Sequence, residues 1–182
     1  LTVRKLVARA ARLRPGDPTT AACATKVAKR ELARRIKRLD AQLTDINAIL
    51  GPLVASTAPG LVARHGIGTD TAATLLVTAG DNPERLRSEA SFAHLCASAP
   101  IDASSGLIKR KRLNPRGDRQ ANEALWRIVL VRMSTEPRTR AYVARRTLEG
   151  KSKREIMRCL KRYVAREVFR DLNEIVQPLD RQ

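Results

Sequence analysis

Six apolar residues, Leu32, Ile36, Leu39, Leu43, Ile46 and Leu50, follow one another at intervals of 4, 3, 4, 3 and 4. Such spacing makes a single stripe only on an α-helix, whose period is 3.6 residues. Arg34, Arg35, Lys37, Arg38, Asp40 and Asp45 occupy the intervals and leave the other faces polar. The pattern predicts a coiled-coil-like helix over 22–51, with Gly51-Pro52 ending it, because proline lacks an amide proton and crowds the preceding turn. About three heptads of an a/d seam suit two uses equally: pairing with another chain, or packing on the helix's own domain. Residues 1–21 are basic and break at Pro15-Gly16-Asp17-Pro18. They read as the tail of an upstream domain or a linker. The chain begins at Leu1 inside a basic helical pattern from Val3 to Leu13, so a piece of a longer reading frame is expected.

The remaining core has to be aliphatic. Apolar residues make up 43% of the 182 positions and aromatics only 3%, which favours closely packed helices of Ala, Leu, Val and Ile. The same scarcity argues against binding single strands by base stacking. Thirty-six Lys and Arg face 18 Asp and Glu, a net charge of +18. An excess of this size is the footprint of a nucleic-acid partner. A membrane surface fits poorly, since the basic helices lack an opposite face of Trp and Phe. Neither a transmembrane run nor a signal peptide is present, and a cytoplasmic protein is expected. Cys23, Cys96 and Cys159 lie far apart without a CxxC pattern, which supports neither zinc nor a disulfide framework.

A helical domain is expected over 52–176, followed by a tail at 177–182. Within it His65-Gly66-Ile67-Gly68-Thr69-Asp70 precedes a small-residue helix, and the segment near 55–79 reads as a helix-hairpin-helix. Gly66 and Gly68 permit a tight turn whose amides, together with the following helix N-terminus, can meet a phosphate. Thr69 or Asp70 can cap that helix. The competing reading is a helix corner with no ligand. Gly80-Asp81-Asn82-Pro83 closes the helix, and Ser88 or Ser91 starts a short turn carrying Phe92, Leu95 and Cys96. Asp118 caps a long helix that Pro137 ends, with Trp126 placed in its core. A short basic helix over 138–148 follows. Ser152 and Glu155 form a capping box for a last helix, with Ile156, Leu160, Val164 and Val168 on one face and Arg154, Arg158, Lys161, Arg162 and Arg166 on the others. Strand patterns are weak throughout, so the fold class is mainly α.

Between that turn and the long helix lies the strip Ala103 to Arg119. Ser104 and Ser105 stand beside Gly106; Lys109, Arg110, Lys111 and Arg112 follow; Asn114-Pro115-Arg116-Gly117 makes a second turn before Arg119. The cations neutralise phosphate charge, and a serine held against them suits either attack on a phosphodiester or binding of it. A solvated loop is the alternative for the strip taken alone.

These pieces, in this order, resemble the C-terminal transposase domain of the IS110/IS116/IS902 insertion-sequence family. The likeness rests on Gly66-Ile67-Gly68 with Ala72-Ala73 and Leu75-Leu76, Gly80-Asp81 with Phe92, and Cys96-Ala97-Ser98-Ala99-Pro100. It continues through Ala103-Ser104-Ser105-Gly106, Asn114-Pro115-Arg116-Gly117-Asp118, and Gln120-Ala121-Asn122 with Ala124-Leu125. It covers about residues 55–170, with residues 22–50 similar to the linker between the family's two domains. Leu107 stands where the common pattern has a second glycine.

The resemblance implies a DNA recombinase of bacterial, nucleoid-associated setting, with the metal (Mg2+) held by a DEDD, RuvC-like domain that is not in this chain. It implies a catalytic serine at Ser104, with Ser105 as the alternative. A guide ("bridge") RNA is a partner of some members, and insertion-sequence ends and target DNA are the substrates. Self-association through residues 22–50 is expected. Asp40, Asp45, Asp70, Asp81 and Asp118 are given no metal. Two other functions fit the same residues: a non-catalytic helix-hairpin-helix nucleic-acid-binding module, and an inactive transposase fragment.

Overall fold

The structure, a computed structural model, describes residues 2–80, 82, 86–102, 111–114 and 116–176. It is mainly α. The helices are α1 (Val3–Ala10), α2 (Ala21–Thr57), α3 (Pro59–Ala63), α4 (Thr69–Gly80), α5 (Glu89–Leu95), α6 (Arg119–Thr135), α7 (Pro137–Leu148) and α8 (Lys153–Val176). Strands β1 (Pro100–Asp102) and β2 (Lys111–Leu113) pair antiparallel in the register Pro100↔Leu113, Ile101↔Arg112 and Asp102↔Lys111. This ribbon was not expected. Strands of three residues are too short to show the alternation by which sequence reveals a strand. The ribbon flanks residues 103–110, which with Ser104, Ser105, Lys109 and Arg110 lie outside the described residues.

The chain divides into two units, Leu1–Ile49 and Leu50–Gln182. In the first, an Asx turn precedes α2: Asp17 accepts from the Thr19 amide at 2.9 Å and from its hydroxyl at 2.7 Å. Those bonds hold the Asp17 carboxyl below its ordinary pKa. Cys23 and Ala33 are buried, and the Cys23 thiol donates to the Gly16 carbonyl at 3.5 Å. Along α2 the predicted seam is largely open: Leu32, Leu39, Leu43 and Ile46 are exposed.

The second unit corrects the end of α2. The helix does not stop at Gly51-Pro52 but continues to Thr57 with Pro52 inside it. Proline forfeits one helical hydrogen bond. Beyond it Val54 and Ala58 are buried in the domain core and Leu50 packs against that core, so tertiary packing offsets the loss. Pro59 then occupies the first turn of α3, where a missing amide proton costs nothing.

Helix α6 is the centre of the unit. Ala121, Ala124, Leu125, Ile128, Val129 and Arg132 are buried along it at helical spacing, and it packs on α4, α7 and α8. Leu61, Leu75, Phe92, Ile156, Val168 and Leu172 complete the core, each almost fully buried. Burial of one such side chain stabilises by roughly 1.5–3 kcal/mol. Trp126 is not in this core: it lies one position past Leu125, about 100° round the helix, and is 43% exposed. Lys161, placed by sequence on a solvated face, is instead buried.

Caps set the helix starts. Ser88 Oγ accepts from the Ser91 amide at 3.1 Å and opens α5; Asp118 Oδ1 accepts from the Ala121 amide at 2.9 Å and opens α6. At α8 the box is reciprocal: the Ser152 amide donates to Glu155 Oε2 at 2.9 Å, and the Glu155 amide donates to Ser152 Oγ at 3.4 Å. Neither Thr69 nor Asp70 caps α4. Both lie within its first turn, and the Gly68 carbonyl accepts the first bond, from Ala72 at 2.9 Å.

Candidate nucleic-acid interface

The polar residues around the ribbon form one clamp. Asn114 Nδ2 donates to the His94 carbonyl at 3.0 Å, and the Asp118 amide donates to the Leu95 carbonyl at 2.6 Å. Asn122 Nδ2 reaches two carbonyls, Cys96 at 2.8 Å and Ala97 at 3.1 Å. The chain leaving β2 is thereby tied to the chain that leaves α5 and enters β1. Ala97 has φ +50, a left-handed conformation that costs a residue with a Cβ about 1–2 kcal/mol. Gly117 lies against it, so close that a Cβ there would be 2.5 Å from both the Cβ and the amide nitrogen of Ala97. Gly117 is therefore required for close approach.

Lys161 braces the clamp from α8. Its ammonium donates to Asn122 Oδ1 at 2.9 Å, which fixes the amide so that Asn122 Nδ2 faces the two carbonyls. Burial, and next the charge of Arg158, lower the Lys161 pKa. Burial also pushes the Cys96 thiol well up, aided by Asp118, and Cys96 is an inert neutral thiol. Sequence reasoning placed Asn122 inside a motif without a task and gave no signal for Lys161. One lysine among many cations on α8 becomes special only through α6.

The second predicted element is the turn between α3 and α4. Gly66 has φ +82, and a Cβ there would meet Arg132 Cγ at 3.3 Å and the Ile128 carbonyl oxygen at 3.4 Å. Arg132 Nε donates to the His65 carbonyl at 2.8 Å, and its Nη1 donates to Glu167 at 2.7 Å. Arg64 forms a two-pronged pair with Asp171, one prong at 2.6 Å, which raises the Arg64 pKa. One side of the turn is thus fastened to α6 and α8. Its other side is open: nothing lies within 4 Å of the position a Gly68 Cβ would take. Gly66 serves packing, then, while Gly68 is exposed and Thr69 half-buried. Asp70 sits in the first turn of α4 and pairs with Arg127 at 2.8 Å, so this helix end already carries a carboxylate. His65 is exposed and its Nε2 hydrogen-bonds Thr135 Oγ1 at 2.7 Å.

Arg116 and Arg119 are exposed beside the start of α6. Lys111 and Arg112 belong to β2, so four of the predicted phosphate ligands flank the ribbon and α6 start, away in sequence from the Gly66–Thr69 turn. Residues 61–144, which include both the turn and the clamp, match the Transposase IS116/IS110/IS902 family. In that stretch the chain is similar to the family. A relative from Streptomyces coelicolor, described as an insertion element IS110 uncharacterized 43.6 kDa protein, is 35% identical over 117 residues. That stretch is 64% of this chain, and the chain spans 27% of the relative's length. The matched stretch begins at Leu61, the buried residue of α3, and ends within α7.

Carboxylates here have other work. Asp70 holds Arg127, Asp118 caps α6 and Asp171 holds Arg64. Among the described residues no three His, Cys, Asp or Glu side chains converge as a metal ion needs. The described residues offer no such cluster for the divalent cation that the resemblance implies. No described helix is long and apolar enough to cross a membrane.

Proposed function

We propose that this chain is the DNA-handling part of a transposase, which moves an insertion sequence by strand cleavage and rejoining. The supporting observation is the clamp: residues 93–99 and 114–122 are tied together by Asn114, Gly117, Asp118 and Asn122, on either side of the segment that carries Ser104. A nucleophile on a short insertion between two fastened ends has fewer orientations to lose on reaction.

In this reading Ser104 Oγ attacks a DNA phosphorus atom. The Oγ–P bond forms as one P–O bond of the backbone breaks. The serine proton passes to the departing oxygen, which leaves as a strand-end hydroxyl. A second strand's hydroxyl then attacks the same phosphorus and releases the serine. Phosphodiester number is unchanged, so no high-energy cofactor is consumed. Lys109, Arg110, Lys111, Arg112, Arg116 and Arg119 hold the backbone and offset charge developing on the phosphate, while Gly68 and Thr69 offer amides to a neighbouring phosphate. Ser105 is the alternative nucleophile. Mg2+ belongs to the acidic RuvC-like domain that the family resemblance implies, and sequence choice to a guide RNA.

The test is adduct trapping in a protein that joins this chain to the family's acidic domain. With insertion-sequence ends as substrate, Ser104→Ala is expected to abolish the covalent protein–DNA species and to change DNA affinity less than threefold, about 0.6 kcal/mol. Adducts of undiminished yield contradict the assignment and move it to Ser105 or elsewhere. A purely binding module predicts no adduct in either protein. It is favoured by one observation, the open space where a Gly68 Cβ would lie.

Strand exchange needs paired ends and therefore at least two subunits. The exposed stripe Leu32, Leu39, Leu43 and Ile46 on α2 suits contact with a second copy.

A further inference from the structure

Both tyrosines of the chain line one cleft. Its walls are α6, α7, α8 and the Ala63–His65 segment, and it encloses about 830 Å³. From α7 it receives Arg138, Tyr142 and Arg145, spaced i, i+4, i+7; from α8 it receives Tyr163, Arg166 and Arg170, spaced i, i+3, i+7. Each helix thus turns one basic and aromatic face inward.

The arginines fall into two layers. The inner ones are neutralised: Arg64 by Asp171 and Arg132 by Glu167. Of the outer ones, Arg166 pairs with Glu89 of α5, and the other three hold surplus charge. Arg138 and Arg170 are exposed and have no carboxylate within 4.0 Å among the described residues. Arg145 stacks over the Tyr142 ring at 5.5 Å, with its nearest carboxylate, Glu149, at 4.0 Å. The cleft's own carboxylates are engaged, Glu167 with Arg132 and Glu136 with the Thr139 hydroxyl. Tyr142 and Tyr163 meet edge to face, centroids 5.8 Å apart, and the Tyr163 side remains 47% exposed. Burial first, then Cys159 and Tyr163, push the Tyr142 phenol up to about 12, so it adds no negative charge to the cleft.

We propose that this cleft binds an unpaired DNA strand, with a base stacked on Tyr163 and its phosphates against Arg138, Arg145 and Arg170. The inference rests on the DNA-handling reading above but concerns a different surface from the serine segment. A duplex could use the arginines alone, because its base faces are covered by one another; only an unpaired strand also uses the exposed ring. Strand cleavage exposes such ends. The low aromatic content pointed away from stacking, yet the fold gathers both tyrosines in one basic wall.

Fluorescence anisotropy with the 182-residue chain tests this, using a fluorescein-labelled 15-nucleotide oligo-dT, a 15-base-pair duplex and an oligo-U of equal length. Tyr163→Ala is expected to weaken oligo-dT binding about tenfold, the scale of one lost base stack, and duplex binding by less than twofold. Tyr163→Phe keeps the ring and is expected to restore wild-type affinity. Arg138→Ala with Arg170→Ala is expected to flatten the log affinity–log salt slope for oligo-dT by about 1.4, two phosphate contacts on a single strand. Equal losses for duplex and oligo-dT overturn the proposal, as does an unchanged Tyr163→Ala, or a Tyr163→Phe as weak as the alanine variant. Tighter binding of oligo-U that the same variants abolish assigns the cleft to RNA and overturns the DNA claim. Failure of every nucleic acid to bind overturns the DNA-handling reading itself, whereas duplex binding indifferent to Tyr163 overturns only this one.

Discussion

Gly117 decides whether the clamp can close. A Cβ at this position would fall 2.5 Å from backbone and side-chain atoms of Ala97, and Ala97 is already in a left-handed conformation with little room to retreat. Gly117→Ala is expected to destabilise the domain by about 1–3 kcal/mol, as overpacking does, measured by thermal or denaturant unfolding. Gly16→Ala, where nothing lies within 4 Å, serves as the neutral comparison. The sequence made Gly117 visible only as part of a turn; its actual constraint comes from Ala97, twenty residues earlier in the chain and brought near by the fold. Trp126 and Lys161 taught the same lesson in opposite directions. Their exposure depends on which face α6 and α8 turn to each other, and a single-residue step along a helix moves a side chain about 100°.

Helix ends were far more legible, because caps are local. Asp118 and the Ser152–Glu155 box stand where sequence put them, and Ser88 is the cap of the two serines it offered, whereas neither Thr69 nor Asp70 caps α4. The box also makes a pH prediction. Bonds from the Ser152 amide and hydroxyl lower the Glu155 pKa below its ordinary 4.5. The folded-state pKa being the lower one, the box supports α8 above the ordinary carboxyl range and is lost as pH falls through the depressed value. An NMR titration of the Ser152 amide is expected to show a midpoint below 4.5; a midpoint at or above it contradicts the bond. Local rules failed at Pro52, where the pull of Val54 and Ala58 into the core carries α2 past a breaker. Pro52→Ala is therefore expected to raise stability, by up to about 3 kcal/mol on helix propensity, and to slow amide exchange around residues 48–52. The short β1–β2 ribbon escaped detection since three-residue strands carry no periodicity.

For the whole molecule, composition announced a helical chain, charge suggested a nucleic-acid partner, and the family match agrees with the motifs that suggested it. What composition could not give is the distribution of that charge. Arg64, Arg132 and Lys161 are held by internal partners, whereas Arg116, Arg119, Arg138 and Arg170 stay exposed. The seam on α2 yields a prediction at this scale. Leu39→Asp with Leu43→Asp is expected to shift sedimentation from a self-associated species to monomer at micromolar concentration; a wild-type chain already monomeric there contradicts pairing through this stripe. The central claim is the role of Ser104 on its clamped insertion. Mass spectrometry of trapped protein–DNA adducts, in a protein joining this chain to an acidic metal-binding domain, addresses it most directly. A DNA-linked peptide carrying the modification at Ser104 is expected, gone in Ser104→Ala while DNA binding persists. An adduct of equal yield in Ser104→Ala, or a linkage mapped to a residue outside the 103–110 segment, contradicts it.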